Sequence, residues 1–151
     1  TKKWSFSLMA TRREAREWCI QMLFQLDLNP ADSMDNALGV FWADKEPDQA
    51  MHDFTEQLVR GVRTNLTEID GTIQKYAENW RMNRMAAVDR NVLRMAVYEM
   101  LFCKDIPPVV SINEAVDLAK YFGNKESGRF VNGVLDRIRK DIDRPARGKD
   151  N

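Results

Sequence analysis

Apolar positions recur every three or four residues along most of the chain, the spacing of helices that bury one face. From Arg12 to Leu28, the residues Ala15, Cys19, Met22, Leu23 and Leu26 fall on one stripe. Thr11 with Glu14 has the form of a capping box, and Asn29-Pro30 closes the segment. A short second helix is predicted over Asp35 to Trp42, ending in the apolar pair Phe41-Trp42, and a third over Asp48 to Leu66 with Met51, Phe54, Leu58 and Val62 inward. Thr67 with Asp70 signals a new cap, so Glu68 to Trp80 reads as a further helix or as a continuation after a kink, with Gly71 interrupting it.

The second half follows the same rule. Asp89 is placed to cap a helix whose stripe is Leu93, Ala96, Val97, Met100 and Leu101. Pro107 and Pro108 favour extended backbone and break it. Ser111 with Glu114 forms a second capping-box pattern, opening a helix through Ala115, Leu118 and Ala119 that stops at Gly123. A last helix starts between Asn124 and Ser127 and buries Val131, Val134, Leu135 and Ile138. No alternating strand pattern, repeat or low-complexity tract competes. The predicted fold is therefore all-α, with about seven helices in two helical subdomains. Residues 1–10 are expected to be a flexible extension, 11–83 an N-terminal subdomain, 84–142 a C-terminal subdomain and 143–151 a mobile tail.

Length and composition narrow the class. At 151 residues and 44% hydrophobic content, the chain can bury about 70% of its unfolded surface. Cys19 and Cys103 are lone thiols without the spacing of a zinc site or the density of a disulfide scaffold, which places the protein in a reducing cytoplasm. No apolar run approaches the roughly 18 residues of a membrane span.

Zero net charge conceals an uneven distribution. Residues 1–20 carry five basic and two acidic groups, and residues 125–151 carry eight and five. Residues 27–76 carry four basic against ten acidic groups. Basic ends around an acidic middle suit a polyanion if the ends meet in space, while a solvated mixture of charges is the bland alternative.

Chemistry-bearing motifs are scarce. His52 is the only histidine, so a multi-histidine metal site is out of reach, and a lone histidine on a polar face is ordinarily just solvated. The dispersed glycines match no phosphate-cradling loop. Nothing points to an enzyme, a metal or a cofactor, which leaves binding. On a wheel of about 100° per residue from Arg12, the first helix has its core stripe near 310°, Arg16 at about 40°, and Ile20 and Phe24 at about 80° and 120°. Arg12, Arg13 and Arg16 thus fan across one turn, and Ile20 with Phe24 forms a separate apolar strip, either a second layer of internal packing or a partner's docking site. Cations at a helix N-terminus oppose its dipole, so arginines there ask for an external anion. Near the other end, Tyr121, Phe122 and Phe130 lie around a glycine-broken turn with Lys125 and Arg129. Rings beside cations suit unpaired RNA, where bases stack and phosphates pair; Phe122 or Phe130 taken alone reads as an ordinary core plug, and only the neighbouring basic groups shift the balance.

The segments "RREAREWCIQMLFQLD", "VDRNVLRMAVYEML", "IPPVVSINEAVDLAKYFG" and "SGRFVNGVLDRI" together resemble the NusB family of bacterial transcription antitermination factors, over roughly Arg12 to Ile138. The resemblance implies binding of the boxA element of ribosomal RNA leader transcripts together with NusE, a small-subunit ribosomal protein, within an RNA polymerase complex holding other Nus factors. RNA contact carries over to Arg12, Arg13 and Arg16 and to Phe122, Glu126, Arg129 and Phe130; NusE contact carries over to Ile20, Phe24 and Asp89. Glu14 and Val109 stand where many relatives have basic residues, Phe24 lacks the hydroxyl of a tyrosine often found there, and Asp89 reads equally as a helix cap. A protein-only scaffold that binds NusE without RNA is the alternative, and monomer and homodimer both remain open. No cofactor-binding segment of a methyltransferase, to which such domains are also joined, follows.

Overall fold

The first helix is longer than its capping signals suggest. In the structure, a computed structural model that describes residues 6–142, α1 runs Phe6–Leu28. Thr11 and Glu14 therefore lie inside the helix, not at its start, and the expected extension over residues 1–10 is helical from Phe6 onward. The remainder of that extension and the tail expected at 143–151 fall outside the described residues. The helix α2 spans Met34–Trp42, α3 Gln49–Thr64, α4 Leu66–Tyr76, α5 Ala87–Phe102, α6 Pro108–Phe122 and α7 Lys125–Asp141, with one 3-10 turn at Met82–Arg84. The described residues contain no strand, and none of their helices is long and apolar enough to cross a membrane.

Contacts divide the chain into two units, one ending at Arg63 and the other starting at Thr64. That division precedes the break expected at residues 83 and 84, because α4 packs on α5 and α7. In the first unit, Ala15, Cys19, Met22, Leu23 and Leu26 of α1 are all buried, as are Met51, Phe54, Leu58 and Val62 of α3. Ser33 caps α2 by accepting from Asn36 N at 3.0 Å, and Asp48 does the same for α3 through Met51 N at 2.9 Å. Trp18 meets Phe41 and Trp42 edge-on at 6.1 and 5.4 Å, joining α1 to α2. The Trp42 indole N–H donates to Glu56 at 2.8 Å, and Arg60 bridges Glu56 and Asp35, tying α2 to α3. His52 is drawn into this cluster instead of being merely solvated. Its ring lies 4.6 Å from that of Trp42, and its Nε2 is 3.3 Å from Glu56.

The second unit is built on α5, in which every residue from Asn91 to Met100 is buried. A helix surrounded on all sides must settle its polar groups with partners. Arg94 donates through Nε and Nη2 to both oxygens of Asp70 on α4, each at 2.9 Å, and Glu99 accepts from the Ser111 hydroxyl on α6 at 2.8 Å. Two capping expectations fail for this reason. Asp70 serves Arg94 and Ser111 serves Glu99, so α4 begins at Leu66 after Asn65, while α6 begins at Pro108, whose missing N–H costs nothing at the first helical position. Asp89 does not cap α5 either: the N-cap is Ala86, and Asp89 lies in the first turn. Tyr76 donates its hydroxyl to Asp141, which holds the phenol above its ordinary pKa, and Arg137 Nε donates to the Tyr76 carbonyl at 3.2 Å. These bonds fasten α4 to α7.

Glycine sets the joint between α6 and α7. A Cβ at Gly123 would stand 2.6 Å from Ser127 Oγ and 2.9 Å from the Ala119 carbonyl oxygen, and the latter cannot retreat without unwinding the end of α6. Gly123→Ala is expected to destabilise the chain by about 1–3 kcal/mol in urea titrations. An unchanged midpoint would mean that the joint is looser than this packing requires.

Candidate nucleic-acid interface

Because α1 begins at Phe6, the arginines occupy its second and third turns, beyond the reach of the dipole's positive end, which fades within the first turn. Two of them, Arg12 and Arg16, lie against one aromatic ring. The Arg12 guanidinium carbon lies 4.6 Å from the centre of Phe54 on α3, and that of Arg16 lies 5.5 Å from the same ring. Their exposures differ: Arg13 is exposed, Arg12 is partly covered, and Arg16 is only 2% exposed. Arg16 therefore belongs to the interior and has no open face for a phosphate. At about 40° on the wheel it sits about 20° from Leu23, inside the buried sector. Phe54, an inward-facing core residue in the sequence, carries the unforeseen task of supporting both guanidiniums.

The apolar strip also divides. Ile20 is fully buried, so internal packing accounts for it, while Phe24 retains partial exposure. Of the pair, only Phe24 presents surface to a partner.

The second unit supplies the aromatic bend. Chain direction reverses at Gly123, and Asn124 caps α7 by accepting from Ser127 N at 2.9 Å. Tyr121, 75% exposed, meets the partly covered Phe122 edge-on at 5.0 Å. Glu126 in the first turn of α7 suits the dipole and accepts from Arg129 at 2.6 Å, both side chains being well exposed. An ion pair so open to water adds little stability, so Arg129 can exchange its carboxylate for a phosphate at small cost. Phe130 is partly covered and meets Trp80 edge-on at 6.1 Å.

One cavity of about 560 Å³ collects several of these residues within the second unit. Its lining includes Trp80, Asp89, Asn124, Glu126 and Phe130. The structure thus brings Asp89 beside Glu126 and Phe130, although the family resemblance assigns them to different partners. Asp89 Oδ1 is buried and has no hydrogen-bond partner among the described residues. Trp80, 53% exposed on the cavity wall, carried no signal beyond being a tryptophan near a helix end. No group of three or more metal-ligating side chains occurs among the described residues.

Comparison with known proteins agrees with this architecture. The model of the NusB family matches residues 13–140. The transcription antitermination protein NusB of Desulfatibacillum aliphaticivorans is 46% identical over 130 residues, covering 86% of this chain and 90% of the relative. A solved structure of NusB from T. maritima superposes with a TM-score of 0.78 at 42% identity, covering 86% of this chain and 91% of the other. A solved complex of antitermination factors NusB and NusE with double-stranded RNA contains a chain that superposes with a TM-score of 0.80 at 29% identity, covering 89% of this chain and 99% of that one.

Proposed function

The chain belongs to the NusB family, and from that premise we propose that it is an RNA-binding transcription antitermination factor. It binds the boxA element of ribosomal RNA leader transcripts together with NusE and supports processive elongation by RNA polymerase alongside other Nus factors. Its role is that of an adaptor in the cytoplasm, without a catalytic step. The observation that carries this reading is the match along nearly the whole length of relatives named for antitermination, one of which has been solved with NusE and RNA.

Exposure refines the residue roles. Arg12 and Arg13 meet phosphates from the first unit, with Arg16 a buried support for Arg12 across Phe54. Phe122 and Arg129 offer a ring and a cation from the second unit, and Phe24 offers an apolar contact to NusE. Glu126, Phe130 and Asp89 share the cavity of the second unit.

The test is a titration of labelled boxA RNA with the full chain, with and without purified NusE, at several salt concentrations. Weak binding alone, tighter binding with NusE and a steep loss with salt are expected. Binding of NusE with no response to RNA would instead select a protein-only scaffold.

A further inference from the structure

A large ring left open to water gains nothing from burial, and the last turn of α6 carries one. Tyr121 is 75% exposed, against 53% for Trp80 and 38% for Phe102. It meets Phe122 edge-on at 5.0 Å, and the backbone just beyond it is tied down: the Gly123 N–H donates to the Ala119 carbonyl at 2.9 Å, and Asn124 caps α7. The ring is therefore displayed at a fixed place. Lys120, the residue before it, supplies a cation whose path depends on a glycine. A Cβ at Gly128 of α7 would stand 2.8 Å from Lys120 Cγ and 3.0 Å from its Cε, so the lysine stem is laid across the space that this glycine leaves. Its ammonium group is carried towards the turn of α7 that holds Arg129.

We propose that the end of α6 is a nucleotide subsite of the bound RNA, in which Tyr121 stacks on one unpaired base and Lys120 meets the flanking phosphate. This rests on the RNA-binding reading above and extends the contact at Phe122 and Arg129 by two residues. Every base has a face on which a ring can stack, and open rings among cations are how single strands are held. Lys120, Lys125 and Arg129 are all exposed around this bend. Charge also gives the strand a direction. Asp117 stands one turn earlier on the same face of α6, exposed, and repels a phosphate backbone there, so the strand leaves Tyr121 towards α7 and not back along α6. Stacking of this kind adds affinity without selecting a particular base.

The experiment uses the full chain with NusE and boxA RNA, followed by fluorescence anisotropy across a salt series. Tyr121→Ala is expected to weaken RNA binding about tenfold while the salt slope stays as it was, because stacking releases no counterions. Tyr121→Phe, which restores a ring, should recover most of that loss. Lys120→Gln keeps a stem over Gly128 and removes the charge, so its slope should be shallower by about 0.7. Strands carrying 5-iodouridine at successive positions add a direct readout: on irradiation, one position should crosslink to Tyr121, and that adduct should vanish in Tyr121→Ala. Both side chains are exposed, and thermal melts of each variant separate binding from folding.

Several results would overturn the proposal. Unchanged affinity in Tyr121→Ala, with RNA binding intact, refutes the stacking and leaves the antitermination reading standing. A loss that Tyr121→Phe does not recover refutes it as well, since the hydroxyl and not the ring is then the contact. An unchanged salt slope in Lys120→Gln refutes the phosphate contact. Tyr121→Ala that weakens NusE binding and spares RNA affinity measured without NusE assigns the ring to the protein partner instead. Failure of the unaltered chain to bind any RNA removes the subsite together with the function it extends.

Discussion

The double variant Arg12→Ala, Arg13→Ala is expected to bind boxA RNA about tenfold more weakly at moderate salt, and its slope of log affinity against log salt should be shallower by about 1.4. Each phosphate contact on a single strand releases roughly 0.7 of a counterion, and two contacts are removed. The place of Arg12 over Phe54 is worth about 0.5–1 kcal/mol, and Arg13 is exposed, so melts of the double variant accompany the binding series. Arg16→Ala should behave in the opposite way. It removes a side chain that is 2% exposed, so it lowers the melting temperature and leaves the salt slope near its original value. Fluorescence anisotropy across a salt series reads both quantities. An unchanged slope in the double variant would refute phosphate contact at this turn.

The largest expected loss of stability lies in the second unit, at the forked bond from Arg94 to Asp70. The two side chains are 10% and 27% exposed, and both bonds are 2.9 Å long. Replacing one partner leaves the other charge poorly solvated, a loss that outweighs the net worth of the intact pair. Arg94→Met is expected to cost about 3 kcal/mol and lower the melting temperature by about 10 °C. Combining Arg94→Met with Asp70→Leu should recover much of that loss, because the stranded carboxylate is then gone. Circular dichroism melts of the single and double variants check this. If the double variant melts no higher than Arg94→Met, the cost lies in the shape of the arginine and not in the abandoned charge.

Which parts of this molecule can be read from its sequence follows from how each signal is generated. Helical periodicity arises from burial itself, so the stripes through Cys19, Leu58 and Val134 marked their elements and their inward faces correctly, whereas the stripe through Leu93 found α5 but missed that it is buried on every face, with Leu101 of that stripe partly exposed. Capping signals are local, and tertiary partners outbid them. Ser111 and Asp70 have the right type and spacing to cap, but α5 is buried all round, and its Glu99 and Arg94 claim them. Thr11 with Glu14 fits a capping box by coincidence inside a helix that begins earlier. The same limit applies to the candidate interface. Arg13 and Arg16 are equivalent as letters, and only the breadth of the buried sector of α1, which reaches Ile20, makes one a surface group and the other an interior one. The wheel put Arg16 at about 40°, next to the stripe, so its burial was within reach of a broader sector. The cavity was not legible at all. Its walls come from a 3-10 turn, a helix start and a bend, joined by packing of α5 and α7 that no spacing along the chain encodes.

The helix α1 is unbroken from Phe6 to Leu28. Arg12 and Phe24 stand on the same rigid rod, separated along its axis by about 18 Å at 1.5 Å per residue. On the proposed function, the point where a nucleic-acid strand is anchored and the point where a protein docks are thereby held like two marks on a ruler. An insertion of one or two residues between them would rotate part of α1 by about 100–200° and turn buried positions such as Cys19 or Leu23 away from the core, whereas about seven residues, near two full turns, would lengthen the interval and keep the phase. The distance between the two positions can therefore change only in steps of about whole turns.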